Sequence, residues 1–301
     1  MDIREVGPRD GFQNEPEIIA TQDKIALIDR LARSGVRRIE VTSFVRPDVV
    51  PQLADAREVL TGIDVSAGVA RSVLIPNERG LDHALAVREH FEEVGVFLSA
   101  SETHNRRNVN RSVDASLAEL QRVIARAREA GLRVEAVIAT SFGCPYEGVV
   151  DRARVLDLAR KLAHAGAAEI AFGDTTGMAN PLQVAAHFAD AAAALGAEVQ
   201  LTAHFHNTRG QGLANVLAAL QAGCASYESS FGELGGCPVP RGATGNIASE
   251  DLVSMLHEMG IETGIDLDAL LDAARAVREV LGRPLGSHTL VAGRVRWEPA
   301  A

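Results

Sequence analysis

His204 and His206 stand one residue apart in Thr202-Ala203-His204-Phe205-His206-Asn207. In extended chain, residues two apart face the same side. The two imidazoles therefore project together, with Phe205 opposite. Such a pair can share a divalent cation, or it can be a hydrogen-bonded pair lining a polar core. Asp10, in Gly7-Pro8-Arg9-Asp10-Gly11, offers a carboxylate for that cation or simply closes a turn, since Pro, Asp and Gly are all turn formers. Arg9 is either a surface cation or fixed positive charge facing a developing anion. Glu40 and Asp174 lie in apolar runs, where an unpartnered carboxylate is costly. Arg9 is the available partner for Glu40, in a structural ion pair or as part of a site. The stretch from Gly232 to Asn246 is dense in glycine and proline and lacks the Gly-Lys-Ser/Thr ending of a phosphate cradle. Cys237, between Gly236 and Pro238, reads as an accessible, acting thiol on a lid. Cys144 reads as a small hydrophobe packed under a loop.

These residues need a frame, and the punctuation of the chain supplies one. Helical patterns end at Gly35, Gly131, Gly166, Gly196 and Gly223, each followed by a short β-rich run, as expected where glycine stops a helix. Leu117, Leu120, Val123, Ile124 and Ala127 form one helical stripe, and Val155, Leu158, Ala159 and Leu162 another. Pro181 suits a first helical turn. Strands are predicted near 3–6, 37–43, 65–70, 92–98, 134–140, 168–173, 200–206 and 226–231. Alternating strands and helices imply a parallel sheet covered by helices. Eight units favour a (β/α)8 barrel, a TIM barrel, over an open doubly wound sheet. No Gly-x-Gly-x-x-Gly follows the first strand, which weakens the dinucleotide-binding alternative. The expected domain is 1–282, with 283–301 a short C-terminal extension packing outside it. The polar residues above then gather at the carboxyl ends of the strands, the rim where barrel enzymes do chemistry.

Composition narrows the classes further. The 301 residues carry 30 Lys plus Arg against 40 Asp plus Glu, a net charge of −10, which argues against nucleic acid as a partner. No apolar run reaches the roughly 18 residues of a membrane helix, and the start shows no signal segment. Three scattered cysteines make no disulfide framework. A cytoplasmic protein that does not engage membranes is expected. Aromatic residues are only 4%, so aliphatic side chains must build the core.

Several of these segments, in order, resemble the 3-hydroxy-3-methylglutaryl-CoA lyase family. They are Glu5-Val6-Gly7-Pro8-Arg9-Asp10-Gly11-Phe12-Gln13-Asn14-Glu15, Ile39 to Val45, Gly143 to Gly148, Gly173-Asp174-Thr175, His204 to Gln211, and Gly235-Gly236-Cys237-Pro238 through Asn246. The resemblance runs from about Ile3 to beyond Asp251. It implies the (β/α)8 barrel of metal-dependent lyases and Claisen-condensing enzymes. It implies that Asp10, His204, His206 and Asn246 ligate a divalent cation, Mg²⁺ or Mn²⁺, which suits this oxygen-rich set better than tetrahedral Zn²⁺. No organic cofactor is implied. Arg9 would stabilise an enolate, Cys237 would act as acid/base, and Glu40 and Asp174 would support them. Arg9, Gln13, Gly235 and Gly236 would contact substrate.

The implied reaction is retro-Claisen cleavage of 3-hydroxy-3-methylglutaryl-CoA to acetyl-CoA and acetoacetate, placed by the resemblance in leucine degradation or ketone-body formation. Alternatives are the same chemistry on a citramalyl-CoA or a bulkier 3-alkyl homologue, and the reverse condensation. The chain departs from the family's common residues at Phe12 (leucine), Val137 (tyrosine), and Asn207 and Arg209 (aspartate and tyrosine). Arg106, Arg107 and Arg111 are candidate contacts for the anionic CoA moiety or a solvated basic loop. A homodimer is compatible with the fold.

Overall fold

A computed structural model of the chain describes residues 1–64, 68–236 and 245–297. Its strands are β1 Asp2–Glu5, β2 Arg38–Ser43, β3 Ala70–Leu74, β4 Glu93–Ser99, β5 Arg133–Ala139, β6 Glu169–Asp174, β7 Gln200–Phe205 and β8 Ser226–Ser229. Each pairs in parallel with the next, and β8 pairs with β1, so the sheet is a closed eight-stranded barrel. The helices are α1 Thr21–Arg33, α2 Ala56–Gly62, α3 Glu78–Leu85, α4 Glu102–Val109, α5 Val113–Glu129 and α6 Arg152–Ala165. They continue as α7 Pro181–Leu195, α8 Gly212–Gln221, α9 Ser249–Glu258, α10 Leu267–Leu281 and α11 His288–Ala292. This is the (β/α)8 architecture that the repeat predicts.

The local sequence explains the elements. In α5 the predicted stripe from Leu117 to Ala127 is wholly buried, and in α6 so are Val155, Leu158, Ala159 and Leu162. Each helix begins on a side-chain cap: Ser112 accepts from Ala115 N, and Asp151 from Ala153 N. α6 stops at Gly166, whose φ of 112° lies in the left-handed region. Pro181 occupies the first turn of α7.

One strand differs from the expectation. The sequence pattern predicts the third at 65–70, whereas β3 runs from Ala70 to Leu74. Gly68, at φ 106°, is the turn that precedes it, and the buried apolar run is Val73-Leu74-Ile75. Residues 65–67 lie outside the described set.

Beyond Gly282 the chain leaves the barrel pattern. Arg283 pairs with Glu15 at 2.5 Å, Gly286 N donates to Gly232 O, and Asp251 accepts from the backbone of His288 and Thr289 at the start of α11. Among the described residues, no helix is long and apolar enough to cross a membrane.

The interior of the barrel is not wholly apolar. Arg4, 1% exposed, lies at its centre and binds Glu93, Glu135, Glu169 and Glu228. Arg38 adds further ion pairs to Glu93 and Glu169 at 2.9 and 2.6 Å. Buried charges are tolerated when paired in this way.

Candidate metal and acid-base centre

The mouth of the barrel is built from strand ends. After β1, a tight turn over Gly7–Gly11 bonds Asp10 N back to Val6 O at 2.7 Å. The turn needs glycine at position 7, where a Cβ would lie 2.4 Å from the Phe231 ring. It swings Arg9 and Asp10 across the end of β1. At the end of β7, Asn207 N donates to Gly245 O and Ile247 N to Phe205 O, bridging His206 to Asn246. Backbone pairing, rather than side-chain reach, therefore brings Asn246 beside the histidines.

Asp10, His204 and His206, all buried, offer ligand atoms that lie within 4.8 Å of one another. The two Nε2 atoms are 3.1 Å apart. Asn246 Nδ2 donates to Asp10 Oδ2 at 2.8 Å and to Leu234 O at 3.1 Å. Its Oδ1 is buried and accepts no hydrogen bond among the described residues. Two imidazoles, a carboxylate and an orphaned amide oxygen in one buried cluster form a donor set that fits a divalent cation of the mixed N/O kind. The electrostatics agree. Burial alone would raise the Asp10 carboxyl, but Arg9 and the two imidazoles outweigh it and hold Asp10 below its ordinary range.

Arg9 is fixed on two edges. Its Nε donates to Glu40 Oε2 at 2.6 Å and its Nη1 to Asp10 Oδ1 at 2.7 Å. Nη2 makes no hydrogen bond among the described residues, so it remains to face a ligand. Gln13 Nε2 reaches Asp10 Oδ1 at 2.9 Å. Gly235 packs directly on the centre: a Cβ there would meet Asn246 Nδ2 at 2.7 Å, and φ is +113°, so a side chain at 235 would displace a ligand. Gly236 follows it. Asp174 accepts from Met178 N at 2.7 Å and Ala179 N at 3.0 Å through Oδ1, while Oδ2 is buried without a partner among the described residues. Burial pushes its carboxyl up to about 7 despite those amides.

The structure thus brings together Arg9, Asp10, Gln13, Glu40, His204, His206, Gly235 and Asn246, with Asp174 at the end of neighbouring β6. Cys237 lies outside the described residues. Cys144 is fully buried, 3.0 Å from Ser101 Oγ, as a packed thiol would be. Phe12 is buried edge-to-face against Phe231 at 6.0 Å. Arg209 Nη1 is bound to the carbonyls of Thr176 and Gly177 at 2.8 and 2.7 Å. Val137 is half-buried on β5. Arg106 and Arg107 lie on α4 rather than on a loop, and Arg111 just beyond it. Arg106 pairs with Glu102, Arg111 with Glu119, and the Arg107 guanidinium lies 4.3 Å from the centre of the Tyr146 ring.

Three further buried acids stand behind the site, and no motif marks them. Glu228 accepts from His204. Glu5 and Glu250 hold the backbone amides of Phe231 and Gly232 at the foot of the glycine-rich loop. Their only signal was position: acids in or beside runs that the period makes buried.

A parallel barrel whose strand ends converge a carboxylate, two imidazoles and an amide beside a clamped arginine has the architecture of a barrel enzyme with a cluster that could hold a divalent cation. A family model described as HMGL-like matches residues 1–277, and the chain belongs to that family. It is 48% identical to a hydroxymethylglutaryl-CoA lyase of Bacillus subtilis, YngG, over 96% of this chain and 95% of that one. It is 43% identical to a 3-hydroxy-3-isohexenylglutaryl-CoA/hydroxymethylglutaryl-CoA lyase of Pseudomonas aeruginosa, over 94% of each chain. Among solved structures, an HMG-CoA lyase of Acinetobacter baumannii in complex with coenzyme A and 3-methylmalate superposes with a TM-score of 0.93 at 41% identity, covering 100% of this chain and 97% of that one.

Proposed function

We propose that this protein is a divalent-cation-dependent carbon–carbon lyase that cleaves 3-hydroxy-3-methylglutaryl-CoA to acetyl-CoA and acetoacetate. The observation that carries the reading is the convergence of Asp10, His204 and His206 within 4.8 Å, with the unpartnered Oδ1 of Asn246 beside them. These four would hold Mg²⁺ or Mn²⁺. When bound, the cation supplies positive charge that lowers the pKa of a neighbouring hydroxyl.

The chain's own groups do the rest. Of the two candidate bases, Asp10 and His204, Asp10 takes the proton of the substrate's tertiary hydroxyl, because His204 would give one ring nitrogen to the cation and gives the other to Glu228. The C2–C3 electron pair then moves to the thioester side, leaving a ketone on one fragment and an enolate on the other. Arg9, held by Glu40 and Asp10, faces that enolate with its remaining edge and offsets its charge. The Cys237 thiol delivers a proton to the enolate carbon, giving acetyl-CoA. Gln13 steadies Asp10, and the Gly235-Gly236 backbone lets the thioester approach. Asp174 supports the mouth through its open oxygen. Arg107 on its aromatic shelf is a candidate contact for CoA phosphate. Residues 1–282 form the catalytic unit, with 283–301 as its appendage, and two buried free thiols, Cys144 and Cys224, suit a reducing cytoplasm.

The test is a thioester panel with products identified by mass. The reading predicts acetyl-CoA and acetoacetate from the 3-methyl substrate, silenced by EDTA and restored by Mg²⁺ or Mn²⁺. Cys237→Ala should nearly abolish turnover while cation still binds; turnover within a few-fold of the parent removes the thiol from the mechanism. Preference for a citramalyl or longer 3-alkyl thioester would move the substrate within the same chemistry. Consumption of acetyl-CoA with a 2-keto acid and no cleavage would make the protein a synthase.

A further inference from the structure

The residue behind the histidine pair is an acid on the next strand. Register explains why it is there: His204 of β7 pairs with Glu228 of β8, and Glu228 pairs with Arg4 of β1, so the three share one rung of the barrel. Glu228 is buried at 4% exposure. Its Oε2 lies 2.8 Å from His204 Nδ1, and its Oε1 lies 3.2 Å from Arg4 Nη1. Each oxygen therefore has one assigned partner. A carboxylate oxygen only accepts, so Nδ1 must be the protonated nitrogen of His204. That leaves Nε2, 3.1 Å from His206 Nε2, as the nitrogen whose lone pair a cation would take.

We infer that Glu228 is a positioning residue for the cation centre, fixing the tautomer and ring plane of His204 while Arg4 holds the glutamate from below. Outer partners of this kind orient ligating histidines generally. What this chain adds is the anchor: Arg4 is itself clamped by Glu93, Glu135 and Glu169, so Glu228 cannot swing away from the imidazole without leaving Arg4. Rigidity at the middle of the barrel is thereby carried to the rim through one side chain. The inference rests on reading the Asp10–His204–His206 cluster as a cation site.

The experiment has two arms. In the first, ¹⁵N NMR of the metal-free, unsubstituted protein reads the His204 tautomer, with His204→Gln to assign the signal. The expected result is a proton on Nδ1; a bare Nδ1, with the proton on Nε2 alone, overturns the inference, whatever the protein catalyses. In the second, Mn²⁺ affinity is measured by electron paramagnetic resonance. Glu228→Leu should weaken binding by about 10–100-fold, while Glu228→Gln, whose amide oxygen can still accept from Nδ1, should retain affinity within about tenfold of the parent by the same reasoning. Circular dichroism checks that each variant is folded. Parent-like Mn²⁺ affinity in a folded Glu228→Leu protein overturns the inference and leaves the cation site standing. Failure of the parent to bind Mn²⁺ would sink the cation site itself, and the tautomer measurement would still decide the role of Glu228.

Discussion

The middle and the rim of the barrel interior hold similar groups to opposite purposes. In the middle, Arg4 and Arg38 are enclosed by Glu93, Glu135, Glu169 and Glu228, and Thr202 completes Glu169 at 2.5 Å. Within that network the only buried side-chain atoms without a hydrogen-bond partner among the described residues are Arg4 Nε and Glu135 Oε1, and Glu135 is ion-paired to Arg4. At the rim, Asp10, His204, His206 and Asn246 are equally buried, yet oxygens of Asn246 and Asp174 have no partner among the described residues. A satisfied network stabilises or orients; an unsatisfied one is prepared for something not yet there. The lesson is that burial of charge alone does not mark a site. Several ligating groups gathered at the strand ends, with an orphaned oxygen among them, do.

Substitutions can break that contrast, and the largest effect belongs to the middle. Arg4→Met removes the shared partner of four buried carboxylates and should cost about 3–5 kcal/mol of folding stability, read by urea denaturation. Loss below 1 kcal/mol would mean that the network is dispensable. At the rim, Asp10→Asn should cost less folding stability than Arg4→Met but lower kcat/KM by about 10²–10⁴-fold. A rim variant that unfolds the protein while sparing activity would reverse the assignment of the two regions.

A smaller effect sharpens the boundary between them. Burial lifts Glu5 to about 7 and, with the charge of Glu5 nearby, Glu250 to about 8, both above the ordinary 4.5. Their pKa values are raised in the folded state, so the fold binds more protons than the unfolded chain through this range. The stability they contribute is complete below about pH 4.5 and declines as pH rises to 7–8. Glu250→Gln should flatten the fall in melting temperature between pH 5 and 8. An unchanged slope would show that these acids do not govern the foot of the loop. The smallest effect is Phe12→Leu, which restores the family's common residue. Phe12 packs on Phe231, so the swap should cost less than about 1.5 kcal/mol and leave the preferred thioester the same. A switch of substrate would place Phe12 in the site after all.

The barrel was readable because glycine stops and helical stripes repeat with the unit. Only the third strand was misplaced, where a turn at Gly68 precedes the apolar run of β3. The rim was readable because strand ends collect the polar residues, and the two-residue spacing of His204 and His206 fixes their shared side. Asn246 was accessible only through resemblance, since its approach depends on backbone pairing across some forty residues. Glu228 and Arg4 were hidden for a related reason. Their partners are set by register between β7, β8 and β1, and a single strand's sequence carries no register. Phe12, noted as a departure near the motif, turned out to be core, because its ring fills space beside Phe231.

The central claim is that the carboxylate of Asp10 and the imidazoles of His204 and His206 grip one divalent cation. Titrating the metal-free protein with Mn²⁺ under electron paramagnetic resonance tests it most directly. One tightly held ion per chain is expected, with affinity sharply reduced in His206→Ala. An unchanged stoichiometry and affinity in that variant, or no bound Mn²⁺ in the parent, would contradict it.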